Sequence, residues 1–242
     1  MVPVWNEAST IDAFVRHVRS RLPMAEIVLV DGGSNDGTWQ KLQRLADRHR
    51  LRLLRSPRGR TRQMNRGAEA SRGEVILFLH ADSRLPHSCA GAIARLLQEQ
   101  EICGGCFRLR FPRQELIYRI SDSLGNLAVD LFQIALGDHG IFCRRDTFFR
   151  IGGFPEVPLM EDADFYRALK RQGRVRQLRD EIETSPRRYE ELGRHRTTFF
   201  YLLLLALYLL GVSHARLAEW HRRFTERSPA RRRLPADAFA RA

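Results

Sequence analysis

At 242 residues the chain is long enough for one large domain, or one domain with an appendage, and can bury a sizeable core. A hydrophobic share of 43% excludes general disorder. The formal charge of +13, from 41 basic against 28 acidic residues, directs the protein toward phosphate-bearing partners: a nucleotide, an anionic lipid or nucleic acid. Lysine occurs only at Lys41 and Lys170, so nearly all of that charge is arginine.

The elements follow in order. Met1–Val4 is the tail of a short first strand that ends at Trp5-Asn6-Glu7. Ser9 is placed to cap a helix to about Arg21, with Ile11, Phe14, Val15 and Val18 on one face. Glu26–Asp31 is a continuously apolar second strand, and the loop 32–37 leads into a helix from Thr38 to His49. Leu51–Leu54 is a third strand, followed by a loop to Arg60 and a short helix to about Ala70. The run Val75-Ile-Leu-Phe-Leu79, closed by His80-Ala81-Asp82, is a strand buried on both faces. A helix from Pro86 to Gln98, a strand over Cys106–Phe111, a helix over Leu116–Leu136 and a strand over Gly140–Cys143 come next. A turn at 151–155 precedes a helix from Glu161 to Arg171. This βαβ alternation with tight loops predicts an α/β fold with a parallel sheet flanked by helices.

Cys89, Cys103, Cys106 and Cys143 are too few for a disulfide framework in a chain this long. Cys103-Gly-Gly-Cys106 has redox or half-zinc spacing, but no second pair or nearby histidine completes a metal site, so both read as strand residues. The N-terminus shows no signal peptide, and a reducing cytoplasm fits. The run 199–212 is nearly all apolar and flanked by Arg194, Arg196 and Arg216. It falls short of the roughly 20 residues a spanning helix needs, so it either lies in a membrane interface, packs on the sheet or meets a second copy. Domain boundaries are accordingly set at 1–192 for the main domain, 193–227 for a C-terminal helical segment able to touch a membrane, and 228–242 for a basic tail.

Several loops at strand ends carry polar residues, where open α/β sheets collect ligands. Asp82 is placed to hold a divalent cation against phosphate oxygens, or to cap the next helix. Asp31 and the glycines after it suit a nucleoside, although a strand-to-helix turn needs no more than glycine and a cap. Arg58, Arg60, Arg62 and Gln63 suit a diphosphate. Glu161-Asp162 either stabilises a helix start or supplies a base. Gly137-Asp138-His139-Gly140 is a further polar cluster.

Val-Pro-Val-Trp-Asn6-Glu7, Val30-Asp31-Gly-Gly33-Ser34-x-Asp36-Gly37-Thr38, Arg60-x-x-Gln63-Met-Asn65-x-Gly67-Ala68, Leu79-His80-Ala81-Asp82 and Met160-Glu161-Asp162 resemble, in that order, the motifs of family 2 inverting glycosyltransferases. Gly137-Asp138-x-Gly140-Ile-Phe and Gly152-Gly-Phe-Pro155-Glu-x-Pro158-Leu-Met-Glu-Asp are similar to a short bacterial subgroup. The likeness covers residues 1 to about 212. It implies the GT-A nucleotide-diphospho-sugar transferase fold, a Rossmann-like, mostly parallel sheet, with Mg²⁺ or Mn²⁺ as cofactor. Asp162 would be the general base, supported by Glu161. Glu7, Asp31, Gly33, Asp36, Arg60, Asn65, Asp82 and Arg188 would serve the nucleotide-sugar, Asp138 and His139 the acceptor side, and Asp82 with His80 the metal. The partners it implies are a nucleotide-sugar donor and an acceptor, lipid-linked if the apolar segment touches the inner face of the plasma membrane, with a homo-oligomer allowed and no nucleic acid.

Two departures stand out: His80 replaces the first aspartate of the metal motif, and Tyr189 stands where tryptophan is expected. Rival readings are a sugar-phosphate nucleotidyltransferase, for which Trp5-Asn6-Glu7-Ala8 lacks the glycine-rich basic loop, and a non-catalytic binder of anionic lipid or nucleic acid. A dinucleotide oxidoreductase lacks its glycine fingerprint after the first strand.

Overall fold

The computed structural model describes residues 1–226; the basic tail expected over 228–242 lies outside them. Seven strands and ten α-helices follow in the order β1 Val2–Val4, α1 Ile11–Arg21, β2 Ile27–Asp31, α2 Thr38–His49, β3 Leu51–Arg55, α3 Arg60–Ala70, β4 Val75–Leu77, α4 Cys89–Leu96, β5 Ile102–Arg110, α5 Leu116–Phe132, β6 Phe142–Arg144, α6 Arg145–Arg150, α7 Glu161–Gln172, β7 Arg174–Glu183, α8 Arg187–Leu192, α9 Arg194–Leu209 and α10 His214–Glu226. Helix α1 starts at Ile11 behind Thr10, and Ser9 does not cap it.

The strands pair as β1-β2-β3 and β4-β6-β5-β7. Two hydrogen bonds join the groups. The Met1 amine donates to Leu77 O at 2.8 Å, and Leu79 N–H donates to Met1 O at 3.1 Å. The strands therefore run 3-2-1-4-6-5-7 across one surface. Its pairs are parallel except those of β6, which runs antiparallel to both β4 and β5. The sheet is thus mostly parallel, as the resemblance implied; the βαβ order alone did not mark β6 as the reversed strand. After α5 the stretch 133–141 brings the chain back so that β6 enters the sheet between β4 and β5 running against both.

The stretch 74–82 is also less regular than its apolar run suggests. Strand pairing proper covers Val75–Leu77, and Val75 is 37% exposed. Phe78 N–H still donates to Ile141 O, so the segment stays in the sheet as it turns toward the cavity. Strand β7 and helices α6 and α8 have no counterpart in the sequence reading, whereas α9 and α10 fall in the expected helical segment 193–227. The arginines and glutamates of β7 alternate with Val175, Leu178 and Ile182 too unevenly to mark a strand.

Two cores lie on the two faces of the sheet. One gathers α1, α2 and α4 around Val4, Leu29, Leu42 and Ile93; the other gathers α3 and α7 around Val30, Met64, Ile76 and Phe165. In the second, Phe78 contacts Phe148, Phe154 and Phe165, with Phe154 and Phe165 stacked at 3.9 Å between centroids. A third, smaller core buries Leu204 and Tyr208 of α9 and Leu217 of α10 against Ile134, Met160 and Ala163. The apolar segment 199–212 is thus half inside the fold. No helix among the described residues is long and apolar enough to cross a membrane.

All four cysteines are free and buried, Cys103 and Cys106 on β5 and Cys143 on β6. Between the first two, a Cβ on Gly104 would lie 2.5 Å from Phe142 O, and one on Gly105 would strike Arg176 O. The glycines of Cys-Gly-Gly-Cys are required by the close approach of β6 and β7, which accounts for the spacing by packing. Gly105→Ala should therefore destabilise the protein by about 2 kcal/mol or more in urea unfolding, with the m-value unchanged.

Candidate active site

The strand tips and helix starts converge on one cavity of about 460 Å³. Its polar wall carries Glu7, Arg60, His80, Asp82, Asp138 and Asp162, and Arg188 joins from α8. Asp82 and Asp162, eighty residues apart in sequence, face the same space. Its apolar wall comes from Leu136, Leu159 and the α9 residues Leu202, Leu204 and Leu205.

Glu161 and Asp162 open α7, where unsatisfied backbone N–H groups favour negative charge. The preceding residue, Met160, holds φ +68°, a left-handed conformation that costs a non-glycine residue on the order of 1 kcal/mol and aims this helix start. Asn6, at the tip of β1, is likewise left-handed. Arg60 at the start of α3 reaches across. Its Nε donates to Glu161 Oε1 at 2.6 Å, and its Nη2 lies 3.5 Å from Asp162 Oδ2. Burial alone would lower the Arg60 pKa; Asp162 and Glu161 more than reverse that, so its charge is fixed.

Asp162 is 4% exposed. Burial pushes its carboxyl up, while Arg60 and the N–H of Gly137, donating to Oδ2 at 3.0 Å, pull it back. Oδ1 is buried without a hydrogen-bond partner. A Cβ at Gly137 would run into both the His80 ring and Asp162 Oδ2, so only glycine lets these groups approach.

His80 and Asp82 follow β4. The His80 ring, lowered by burial and then by Arg60, has Nε2 4.0 Å from Asp138 Oδ1. Asp82 is raised by burial and then by the like charge of Asp138. Among the described residues no group of three or more His, Cys, Asp or Glu side chains is arranged to hold a metal ion by itself. Asp82 and Asp138, partly exposed carboxylates on the same wall, fit Mg²⁺ or Mn²⁺ of the kind that takes one or two protein oxygens and draws its remaining ligands from phosphate and water.

Other residues singled out in the sequence sit behind the cavity. Asp31 is fully buried and accepts N–H bonds from Gly33 and Ser34, folding the loop after β2; Gly33 there has φ +83°. Asp36 accepts from Ala8 N–H and from both Thr38 N–H and Oγ1, tying the first two strand-end loops together. Gln63 donates to Val4 O and Val30 O, fastening α3 under the tips of β1 and β2. Asn65 bonds both N–H and C=O of Phe154, which anchors the glycine turn before α7. His139, by contrast, lines the cavity itself; it is 2% exposed and its Nδ1 pairs with Phe107 O at 3.3 Å.

The sequence reading did not anticipate Tyr201 of α9 or His221 of α10, which line the cavity beside Arg188. The Arg188 guanidinium meets Tyr201 Oη at 3.5 Å, and His221 stacks on Tyr201 at 6.0 Å. Neither residue belongs to a motif; only the packing of α9 and α10 over the site brings them in. Tyr189 bonds Ser121 through its hydroxyl and packs on Phe111.

Residues 1–149 match the model of the family described as glycosyl transferase family 2. The chain is 31% identical over 155 residues to the undecaprenyl-phosphate 4-deoxy-4-formamido-L-arabinose transferase of Pseudomonas aeruginosa (strain LESB58), covering 60% of this chain and 45% of that protein. It is 28% identical over 90 residues to the dolichol-phosphate mannosyltransferase of Pyrococcus furiosus, covering 36% of this chain and 26% of that one. The chain thus spans less than half the length of these relatives. Its fold is similar to a mannosyltransferase from Pyrobaculum calidifontis in complex with GDP-Man and Mn²⁺, with TM-score 0.62 and 21% identity over 84% of this chain and 60% of that one. It is also similar to glucosyl-3-phosphoglycerate synthase from Mycobacterium tuberculosis with Mn²⁺ and UDP-glucose, with TM-score 0.58 and 18% identity over 88% and 78% of the two chains. The α/β arrangement is therefore of the GT-A type.

His139 gives the wall of the cavity a pH dependence. Burial lowers its pKa from 6.5 to about 4, so the folded state keeps it neutral where the unfolded chain protonates it. Its contribution to stability is present above pH 6.5 and is lost as the pH falls from there toward 4. Between pH 7 and pH 5 the wild type should lose about 2 kcal/mol more than His139→Gln, measured by urea unfolding at each pH.

Proposed function

Because the chain belongs to glycosyltransferase family 2, we propose that this cavity binds a nucleotide-diphospho-sugar and passes the sugar to an acceptor hydroxyl with inversion at the anomeric carbon. One observation carries the proposal. Asp162 has one oxygen anchored by Gly137 and Arg60 and the other buried with no partner, in the wall of a cavity that also holds Arg60 and Arg188. A carboxylate so held is preorganised to accept a proton from a hydroxyl, and burial brings its basicity up toward neutral pH.

Arg60 and Arg188 supply fixed positive charge where the diphosphate departs, stabilising the charge that develops as the C1–O bond breaks. Glu161 holds the Arg60 guanidinium in place. The loop shaped by Asp31, Gly33 and Asp36, tied by Asp36 to Ala8 next to Glu7, would take the nucleoside end of the donor, and Glu7 lines the cavity. Asp138 and His139 border the acceptor end. The acceptor hydroxyl attacks from the face opposite the diphosphate and gives its proton to Asp162. Mg²⁺ or Mn²⁺, held by Asp82 with His80 and Asp138 beside it, would neutralise diphosphate charge when bound.

The leucines of α9 on the cavity wall suit an acceptor with an apolar body. Relatives are named for undecaprenyl-phosphate and dolichol-phosphate. A lipid-linked acceptor, met by a cytoplasmic protein at the inner face of the membrane, is the reading that joins these two facts.

A thermal-shift panel of UDP-, GDP- and dTDP-sugars with Mn²⁺ should single out a donor; at one hundred times its Kd it would stabilise the fold by about 2.7 kcal/mol. Asp162→Asn should keep that stabilisation and lose at least ~10²-fold in transfer rate, the lower range for general-base catalysis. Wild-type turnover in this variant would remove Asp162 as the base, and a panel with no stabilising sugar would remove the donor reading.

A further inference from the structure

Helix α5 is apolar on two opposite sides. Tyr118 and Val129 are buried against the sheet, whereas Leu116, Ile120, Leu124, Leu127 and Leu131 are 36–70% exposed. These five recur at spacings of four, four, three and four residues, so they form one stripe along the solvent side for the whole of a helix about 26 Å long. Single exposed leucines are ordinary on a protein surface, but a continuous stripe opposite the buried face is not. Helix α9, packed beside α5, also turns Phe199 and Leu203 to solvent.

The groove beside the stripe carries four arginines against three acidic residues. Arg108, Arg110, Arg113 and Arg119 line the open groove between β5 and α5 along one edge of the stripe. Glu181 pairs with Arg110 and Glu190 with Arg113, and Asp122 and Asp130 also face the groove. Arg108 and Arg119 have no acidic partner among the described residues. The whole chain carries +13, so two copies placed stripe to stripe would bring like charge together, whereas an anionic surface would be attracted.

We infer that the solvent face of α5 docks on an anionic lipid bilayer, lying in the interface with its leucines among the acyl chains and the groove arginines on the headgroups. This surface is distinct from the segment 199–212, and its lipid binding requires no donor, so it stands or falls separately from the transferase proposal. It bears on that proposal through α5 itself: Ser121 and Gly125 of the same helix line the catalytic cavity, so docking would bring the cavity's apolar wall close to the membrane.

The test is sedimentation of the full chain with extruded vesicles of phosphatidylcholine containing 30 mol% phosphatidylglycerol (about that fraction approximates an anionic leaflet) and with pure phosphatidylcholine. The wild type should pellet with the anionic vesicles, and its apparent partition should fall at least tenfold on the neutral ones. Leu127→Gln/Leu131→Gln, and separately Leu116→Gln/Ile120→Gln, should each lower partition onto anionic vesicles at least tenfold. Their thermal midpoints and donor-induced thermal shifts should match the wild type. Wild-type partition in both variants would overturn the inference, as would a wild type that ignores anionic vesicles. A vesicle-free dimer in sedimentation velocity, lost in the same variants, would assign the stripe to a second copy and overturn it too.

Discussion

The site depends on one arrangement of charge: Arg60, from the start of α3, set between Glu161 and Asp162 at the start of α7. Burying a carboxylate pair is expensive unless a cation answers it. Arg60, whose side chain stays 41% exposed, supplies that cation, so the buried pair is tolerable because of it. The arrangement also leaves Asp162 with an unused oxygen, because Arg60 is spent mainly on Glu161. A carboxylate satisfied on both oxygens would be more stable and a poorer base.

Much of the surrounding structure keeps those two helix starts in register. Gln63 fastens α3 beneath the tips of β1 and β2, and Asn65 on the same helix grips the backbone of Phe154. The glycine turn after α6, with Gly152 and Gly153 both left-handed, carries that grip toward Met160 and the strained entry into α7. Residues first read as ligand contacts within Arg60-x-x-Gln63-x-Asn65 are in this sense divided: Arg60 faces the cavity, while Gln63 and Asn65 hold the elements that frame it.

The C-terminal helices complete the enclosure. Leu204 and Tyr208 of α9 and Leu217 of α10 bury themselves against Ile134, Met160 and Ala163, and this brings Tyr201 and His221 over the cavity beside Arg188. The segment 193–227 was separated from the main domain on its composition. Its packing ties it to the residue that opens α7, so the third core and the chemistry share a wall. Helix α5 stands on the other side of that wall and keeps an apolar stripe toward solvent.

By itself the sequence determined the local order of the chain. The apolar runs of β1, β2 and β4, the faces of α1 and α2, the strand-end positions of Asp31 and Asp82 and the helix-start position of Glu161-Asp162 could be read directly, because strand burial and helix periodicity are written in neighbouring residues. Only the tertiary structure decided the reversed direction of β6, the strand character of the charged β7, the structural use of Gln63, Asn65 and the Cys-Gly-Gly-Cys glycines, and the arrival of Tyr201 and His221 at the cavity. These depend on which distant segments approach one another, and the free energy of such contacts has no periodic trace along the chain.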